Sequence, residues 1–103
     1  MNEIKISDSL IKKPTSGKVK KIVLFLHGYG ADGADLLSIS NYWTESLPDT
    51  IFYSPNAPFK CDANPSGYQW FKLSERTPME LESGLEKVEP YLENFINNLL
   101  KIH

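Results

Sequence analysis

Residues 22–36, Ile-Val-Leu-Phe-Leu-His-Gly-Tyr-Gly-Ala-Asp-Gly-Ala-Asp-Leu, run from a β-branched apolar stretch through three glycines into helix-starting residues. That is a strand, a site-building loop and a helix. Two chemistries use such a loop, one to cradle a pyrophosphate and one to hold an oxyanion. Gly28-Tyr29-Gly30-Ala31-Asp32-Gly33 satisfies G-x-G-x-x-G between a strand and a helix, the formal dinucleotide fingerprint. That fingerprint also needs an acidic residue about 20 positions on, at the carboxyl end of the next strand, to hold the ribose. The next strand is Ile51-Phe52-Tyr53-Ser54, and Asp49 precedes it. In a parallel sheet Asp49 falls at the edge away from the ligand, so the nucleotide reading lacks its ribose partner.

The other use of the glycines is an HG-type turn, His27-Gly28-Tyr29-Gly30, after a central strand. A backbone amide must come close to a reacting carbonyl there, which small residues and positive φ permit. Leu26-His27-Gly28-Tyr29-Gly30-Ala31-Asp32-Gly33-Ala34-Asp35-Leu36, then Ser54-Pro55-Asn56-Ala57-Pro58, then Tyr68-Gln69-Trp70-Phe71 occur in this order. These three blocks resemble the phospholipase/carboxylesterase family of α/β-hydrolases, which includes acyl-protein thioesterases, and the resemblance runs from about residue 20 onward. It implies an oxyanion hole to which the Tyr29 N–H donates, a loop shaped by His27, Gly28, Gly30 and Asp32, and an acyl pocket bordered by Trp70 and Phe71. For the two aromatics, core packing is the plainer alternative.

Family members are roughly twice this length, and the serine, aspartate and histidine of their triad lie in the second half. No G-x-S-x-G is present: Ser66 and Ser83 precede glycines, but each lacks the glycine two places before that a nucleophile elbow requires. The histidines are His27, in the turn, and His103, the last residue, and neither matches the family's base. None of the triad is thus expected in these residues, and the 103-residue chain is expected to be inactive alone. A complementing half would come from a second polypeptide, or the chain would self-associate.

Composition agrees with a folded partial domain. Apolar content of 41% and charged content of 23% are ordinary for globular proteins. One cysteine, Cys61, excludes an internal disulfide and fits a reducing compartment. The first residues, Met-Asn-Glu-Ile-Lys, show no secretory pattern, and the apolar run Ile22–Leu26 is too short to span a bilayer, so the expected location is the cytoplasm. Residues 1–31 hold six lysines against two acids, and residues 32–103 hold five basic against eleven acidic side chains. The lysines are spread among Pro14, Ser16 and Gly17 rather than massed with aromatics, which argues for a solvated edge and against nucleic acid.

Along the chain, Glu3–Ile6 and Leu10–Lys12 alternate as short edge strands, with a turn at Pro14–Gly17. Lys21–Leu26 reads as a buried strand. Asp32 suits the N-cap of a helix whose apolar face comprises Leu36, Leu37, Tyr42, Trp43 and Leu47 and which Pro48 stops. Residues 55–67 read as a long loop with three prolines. Cys61-Asp62 lacks a second Cys or His at ligand spacing, so no metal is expected, and no cofactor. Thr77-Pro78-Met79-Glu80 is a capping box with proline at the first helical position. Behind it Leu81, Leu85, Val88, Leu92, Phe95, Leu99 and Ile102 form one stripe, continuing past Pro90, which predicts one bent helix. Glu80, Glu82, Glu86, Glu89 and Glu93 read as a solvated face.

The expected fold class is α/β: the N-terminal half of an α/β-hydrolase, a mostly parallel sheet with flanking helices, incomplete. Residues 1–18 would form edge strands and a turn, and residues 19–103 the strand, oxyanion loop, helix, strand, loop and helix. The competing reading is a non-catalytic truncated remnant or a small binding domain.

Overall fold

In the computed structural model, residues 9–73, 75 and 77–103 are described. The expected strand at Glu3–Ile6 lies outside them. β1 (Leu10–Lys12), β2 (Lys21–Leu24) and β3 (Thr50–Ser54) form a mixed sheet in the order β1-β3-β2. β3 runs parallel to β2, pairing Ile22 with Ile51 and Leu24 with Tyr53, and antiparallel to β1, pairing Ile11 with Tyr53. Parallel pairing needs a crossover, and α1 (Gly33–Leu37) with the following 3-10 helix (Ser38–Tyr42) provides it. A second, two-stranded antiparallel sheet pairs β4 (Phe59–Lys60) with β5 (Tyr68–Gln69), and α2 (Pro78–Ile102) closes the chain.

β3 is buried at every position, as a central strand covered on both faces must be. Its alternation sends Ile51 and Tyr53 to one face, where Leu99 and Phe95 of α2 pack with Ile22, Leu24 and Val19. Phe52 points to the other. There it stacks on Phe25 at 5.9 Å, and Trp43 closes the trio at 5.8 Å from Phe25 and 6.5 Å from Phe52.

Three expectations needed correction. The helix from Asp32 ends as an α-helix at Leu37, and Tyr42, assigned to its apolar face, is 85% exposed. The cause is local: Ser38 Oγ donates to the Asp35 carbonyl, Ser40 Oγ to the Leu37 carbonyl and Thr44 Oγ1 to the Asn41 carbonyl. Such side-chain bonds compete with the helical ladder and tighten the turn. The loop 55–67 contains β4, which the two-residue length hides from any periodicity. The strand ending at Leu26 is half-exposed rather than buried, because among the described residues β2 pairs with β3 alone, and Leu26 itself is exposed.

The strongest sequence signals behave as read. Gly17 takes φ +78° and its N–H closes the turn onto the Pro14 carbonyl. Thr77 Oγ1 accepts the Glu80 N–H, Pro78 opens α2, and one continuous helix carries Pro90 inside it. Glu82, Glu86, Glu89 and Glu93 are exposed.

Candidate active site

The glycine turn leaves the carboxyl end of β2 and is clamped from three directions. The first clamp is backbone: the Gly30 N–H donates to the Tyr68 carbonyl at 2.9 Å and the Tyr68 N–H to the Ala31 carbonyl at 2.8 Å. The β4–β5 hairpin thereby extends its pairing onto the turn. Gly30 sits at φ +82°, a conformation few side chains tolerate, while a Cβ on Gly28 would meet nothing within 4 Å. Gly67 supports the clamp by contact, since a Cβ there would lie 1.9 Å from the Gly30 carbonyl oxygen. Asn64 Nδ2 donates to that same oxygen at 2.9 Å.

The second clamp is His27, 3% exposed and bonded through both ring nitrogens. Nε2 accepts the Ala57 N–H at 2.8 Å, which leaves the proton on Nδ1 to donate to the Gly28 carbonyl at 2.7 Å. Trp70 packs over the ring at 5.4 Å, and its Nε1–H donates to the His27 carbonyl at 2.8 Å. One imidazole and one indole therefore join the turn, the segment after β3 and the end of the hairpin.

The third clamp fixes α1 to β3. Asp32 caps the helix by accepting the Asp35 N–H at 3.0 Å, and Asn56 Oδ1 accepts the Gly33 N–H at 2.8 Å. Ser54 Oγ, fully buried, donates to the Gly33 carbonyl at 2.6 Å. Gly33 is needed for that approach, because a Cβ would fall 2.3 Å from the Ser54 carbonyl oxygen.

Counting donors separates the two chemistries. A pyrophosphate cradle needs free N–H groups at the turn and at the helix start. Here those of Gly30, Ala31, Gly33 and Asp35 are spent on Tyr68, Gly28, Asn56 and Asp32, and the Asp32 carboxylate occupies the helix N-terminus. Asp49 lies at the amino end of β3, paired with Lys20 at 3.7 Å. By contrast, no acceptor among the described residues engages the N–H groups of Gly28 and Tyr29. The Tyr29 phenol is held above its ordinary pKa, chiefly by its interaction with the neighbouring Cys61 side chain.

Trp70 and Phe71 are half-buried and line a cavity of about 560 Å3 between the hairpin and α2. The Phe71 ring lies directly on Gly84, where a Cβ would come within 2.5 Å of it. Cys61 is buried, and no group of three His, Cys, Asp or Glu side chains among the described residues is arranged to hold a metal ion. No described helix is long and apolar enough to cross a membrane. His103 lies apart from the turn, its Nε2 2.6 Å from the Tyr53 hydroxyl. Sequence reasoning missed Gly67, Asn64 and Asn56. Of these only Asn56 lay within a quoted block, and none shows a periodicity that would single it out.

Comparison with known proteins identifies the family. Residues 8–102 match the model of the phospholipase/carboxylesterase family. The crystal structure of esterase PE8 matches at a TM-score of 0.85 and 40% identity, over 93% of this chain and 45% of that one. The chain thus spans less than half the length of that esterase. With a parallel β2–β3 pair, an HG turn at its carboxyl end and a family match over nearly every residue, this chain belongs to the phospholipase/carboxylesterase family of α/β-hydrolases.

Proposed function

We propose that this chain forms the oxyanion side and acyl-pocket wall of a serine hydrolase of carboxylic esters or thioesters that works in the cytoplasm. The observation that carries the reading is the unspent Tyr29 N–H in a turn whose following donors, those of Gly30 and Ala31, are engaged, beside the open space at Gly28. A preorganised amide of this kind stabilises the negative charge that develops on a carbonyl oxygen, and loss of one such donor typically lowers turnover about 100- to 1,000-fold. Gly28, Gly30 and Asp32 shape the turn, His27 holds it, and Trp70 and Phe71 wall the acyl side.

The remaining steps belong to groups this sequence does not carry. A serine activated by a histidine and oriented by an aspartate attacks the carbonyl, the alcohol or thiol leaves, and water releases the acyl-enzyme. No serine here stands in G-x-S-x-G. A polypeptide bearing that motif with a late Asp and His would complete the site, and β2, with one side unpaired among the described residues, is where a further strand would add.

The test is complementation. The chain alone should hydrolyse a p-nitrophenyl ester no faster than a heat-treated control. A mixture with a separately expressed second segment, sought in the reading frame downstream, should gain activity that a fluorophosphonate blocks. Fluorophosphonate-sensitive activity of the chain alone would overturn the assignment of the nucleophile elsewhere. A stable complex that binds the probe but turns over no ester would overturn the oxyanion role.

A further inference from the structure

The cavity between the β4–β5 hairpin and α2 has a lining that the turn does not explain. Its floor is apolar: Phe59, Trp70, Phe71 and the buried Val88. Its volume of about 560 Å3 lies within the range of small-molecule sites, roughly 300–1,000 Å3. Its rim is cationic: Lys60, Lys72 and Lys87. Residues 32–103 contain five basic side chains against eleven acidic ones, so three of the five stand around one apolar hollow in the acidic part of the chain.

Two carboxylates share that lining, and the three lysines outnumber them by one. Asp62 accepts from Gln69 Nε2 at 3.3 Å, and Glu80 accepts the Glu75 N–H at 3.0 Å. Among the described residues the ion pair formed is Lys20–Asp49, at the amino ends of β2 and β3, and the three rim lysines are in none. An apolar floor under an excess of ammonium groups is complementary to an apolar chain that ends in an anion.

We propose that this cavity binds the acyl chain of an ester or thioester that carries a carboxylate at its far end, with the chain on the aromatic floor and the carboxylate among Lys60, Lys72 and Lys87. Trp70 links this to the turn, because its ring lines the cavity while its Nε1–H holds the His27 carbonyl. The substrate class rests on the ester-hydrolase reading. The binding site itself does not, since it is read without turnover.

The experiment titrates the chain with monomethyl sebacate, dimethyl sebacate and methyl 10-aminodecanoate, equal in chain and differing only at the far end. The readout is the two indole N–H signals in the nitrogen–proton correlation spectrum. Trp70 reports the cavity, and Trp43, packed on Phe25 and Phe52, is the internal control. The half-ester should shift the Trp70 signal saturably and bind several-fold tighter than the diester, and the amine should bind most weakly. The variant Lys60→Gln/Lys72→Gln/Lys87→Gln changes only exposed side chains and should keep its melting temperature while losing the preference for the half-ester. Ser83→Phe, which fills the hollow from the exposed face of α2, should abolish binding of both esters. Absence of a saturable Trp70 shift would overturn the cavity as a site. Equal binding of half-ester and diester, or a preference that survives the triple substitution, would overturn the role of the lysines. Either failure leaves the complementation result on ester hydrolysis standing.

Discussion

The glycine turn and the helix α2 are held by opposite means. Between His27 and Gly33 the chain is cross-linked to β5, to the segment after β3 and to Trp70 by short hydrogen bonds, and glycines stand wherever backbones nearly touch. α2 has one capped end and few firm contacts. Gly84, Val88 and Leu99 are buried, while Leu81, Leu85, Ile96, Leu100 and Ile102 are exposed. Its Leu99 nevertheless belongs to the core. The lesson is that the geometry of the turn comes from local satisfaction of polar groups, which half a domain can complete. Stability comes from burying apolar area, which it completes only in part. Seven described apolar residues are buried, and the radius of gyration is 14.9 Å where a compact chain of this length has about 13 Å.

The largest expected effect therefore lies in the small core. Phe52, 1% exposed and contacting Phe25 and Trp43, should cost about 3–5 kcal/mol when replaced by alanine. That is comparable with the whole stability of a small domain. Leu85→Ala, at a position 52% exposed, should change stability by no more than about 0.5 kcal/mol. Urea unfolding measures both. A loss at Leu85 as large as that at Phe52 would mean that α2 is covered in solution, most simply by a second copy, and sedimentation would then show the dimer.

Close contacts at glycine give the next effects. Gly67→Ala drives a methyl into the Gly30 carbonyl, a backbone atom that cannot swing away, and should destabilise by about 1–3 kcal/mol. Gly28→Ala, with open space around it and no positive φ, should be near neutral. Gly84→Ala decides between propensity and packing. In an exposed helix interior the change would stabilise by roughly 0.8–1 kcal/mol. Against the Phe71 ring and Cβ it should instead destabilise by about 1–3 kcal/mol. A rise in melting temperature for Gly84→Ala would show that Phe71 is free to leave the helix.

Much of the frame was legible, for a physical reason that also explains the gaps. Capping residues, helical stripes and the strand-to-glycine turn are short-range signals, so the Thr77 and Asp32 caps and the strand leading into the turn could be read directly. The clamps were not, because each joins residues far apart in sequence: His27 to Ala57, Trp70 to His27 and Asn64 to Gly30. Tyr42 was misplaced because periodicity cannot foresee that Ser38, Ser40 and Thr44 will turn their hydroxyls back onto the chain. Sequence spacing identified His27 as part of the turn. Only the fold shows that both of its ring nitrogens are committed. His27→Ala leaves the Ala57 N–H buried without its acceptor and should cost about 1–3 kcal/mol, and His27→Gln, which can restore an acceptor, should cost less. Equal losses for the two would make ring packing on Trp70, rather than the hydrogen bond, the reason for a histidine here.

The smallest effects compare the two helix caps. Thr77→Ala removes the acceptor of the Glu80 N–H, and Asp32→Ala that of the Asp35 N–H. An N-cap is worth about 1 kcal/mol, and its surroundings decide how the loss is felt. At α1 the first turn is also held by Asn56 on the Gly33 N–H and by Ser54 on the Gly33 carbonyl, so the structure has other anchors within one residue of the cap. The expected loss is about 0.5 kcal/mol, the low end for a cap, with amide exchange around Gly33 unchanged. At α2 the residues after the cap, Pro78 and Met79, are exposed, and the first buried position is Gly84. The full ~1 kcal/mol should appear there, as faster exchange at the amides of residues 80–83 that stops where Gly84 meets Phe71. Fraying that runs past Val88 would show that the Phe71 contact does not anchor the helix. Fraying at Gly33 in Asp32→Ala would show that the turn depends on its cap after all, and the contrast between a cross-linked site and a loosely covered helix would disappear.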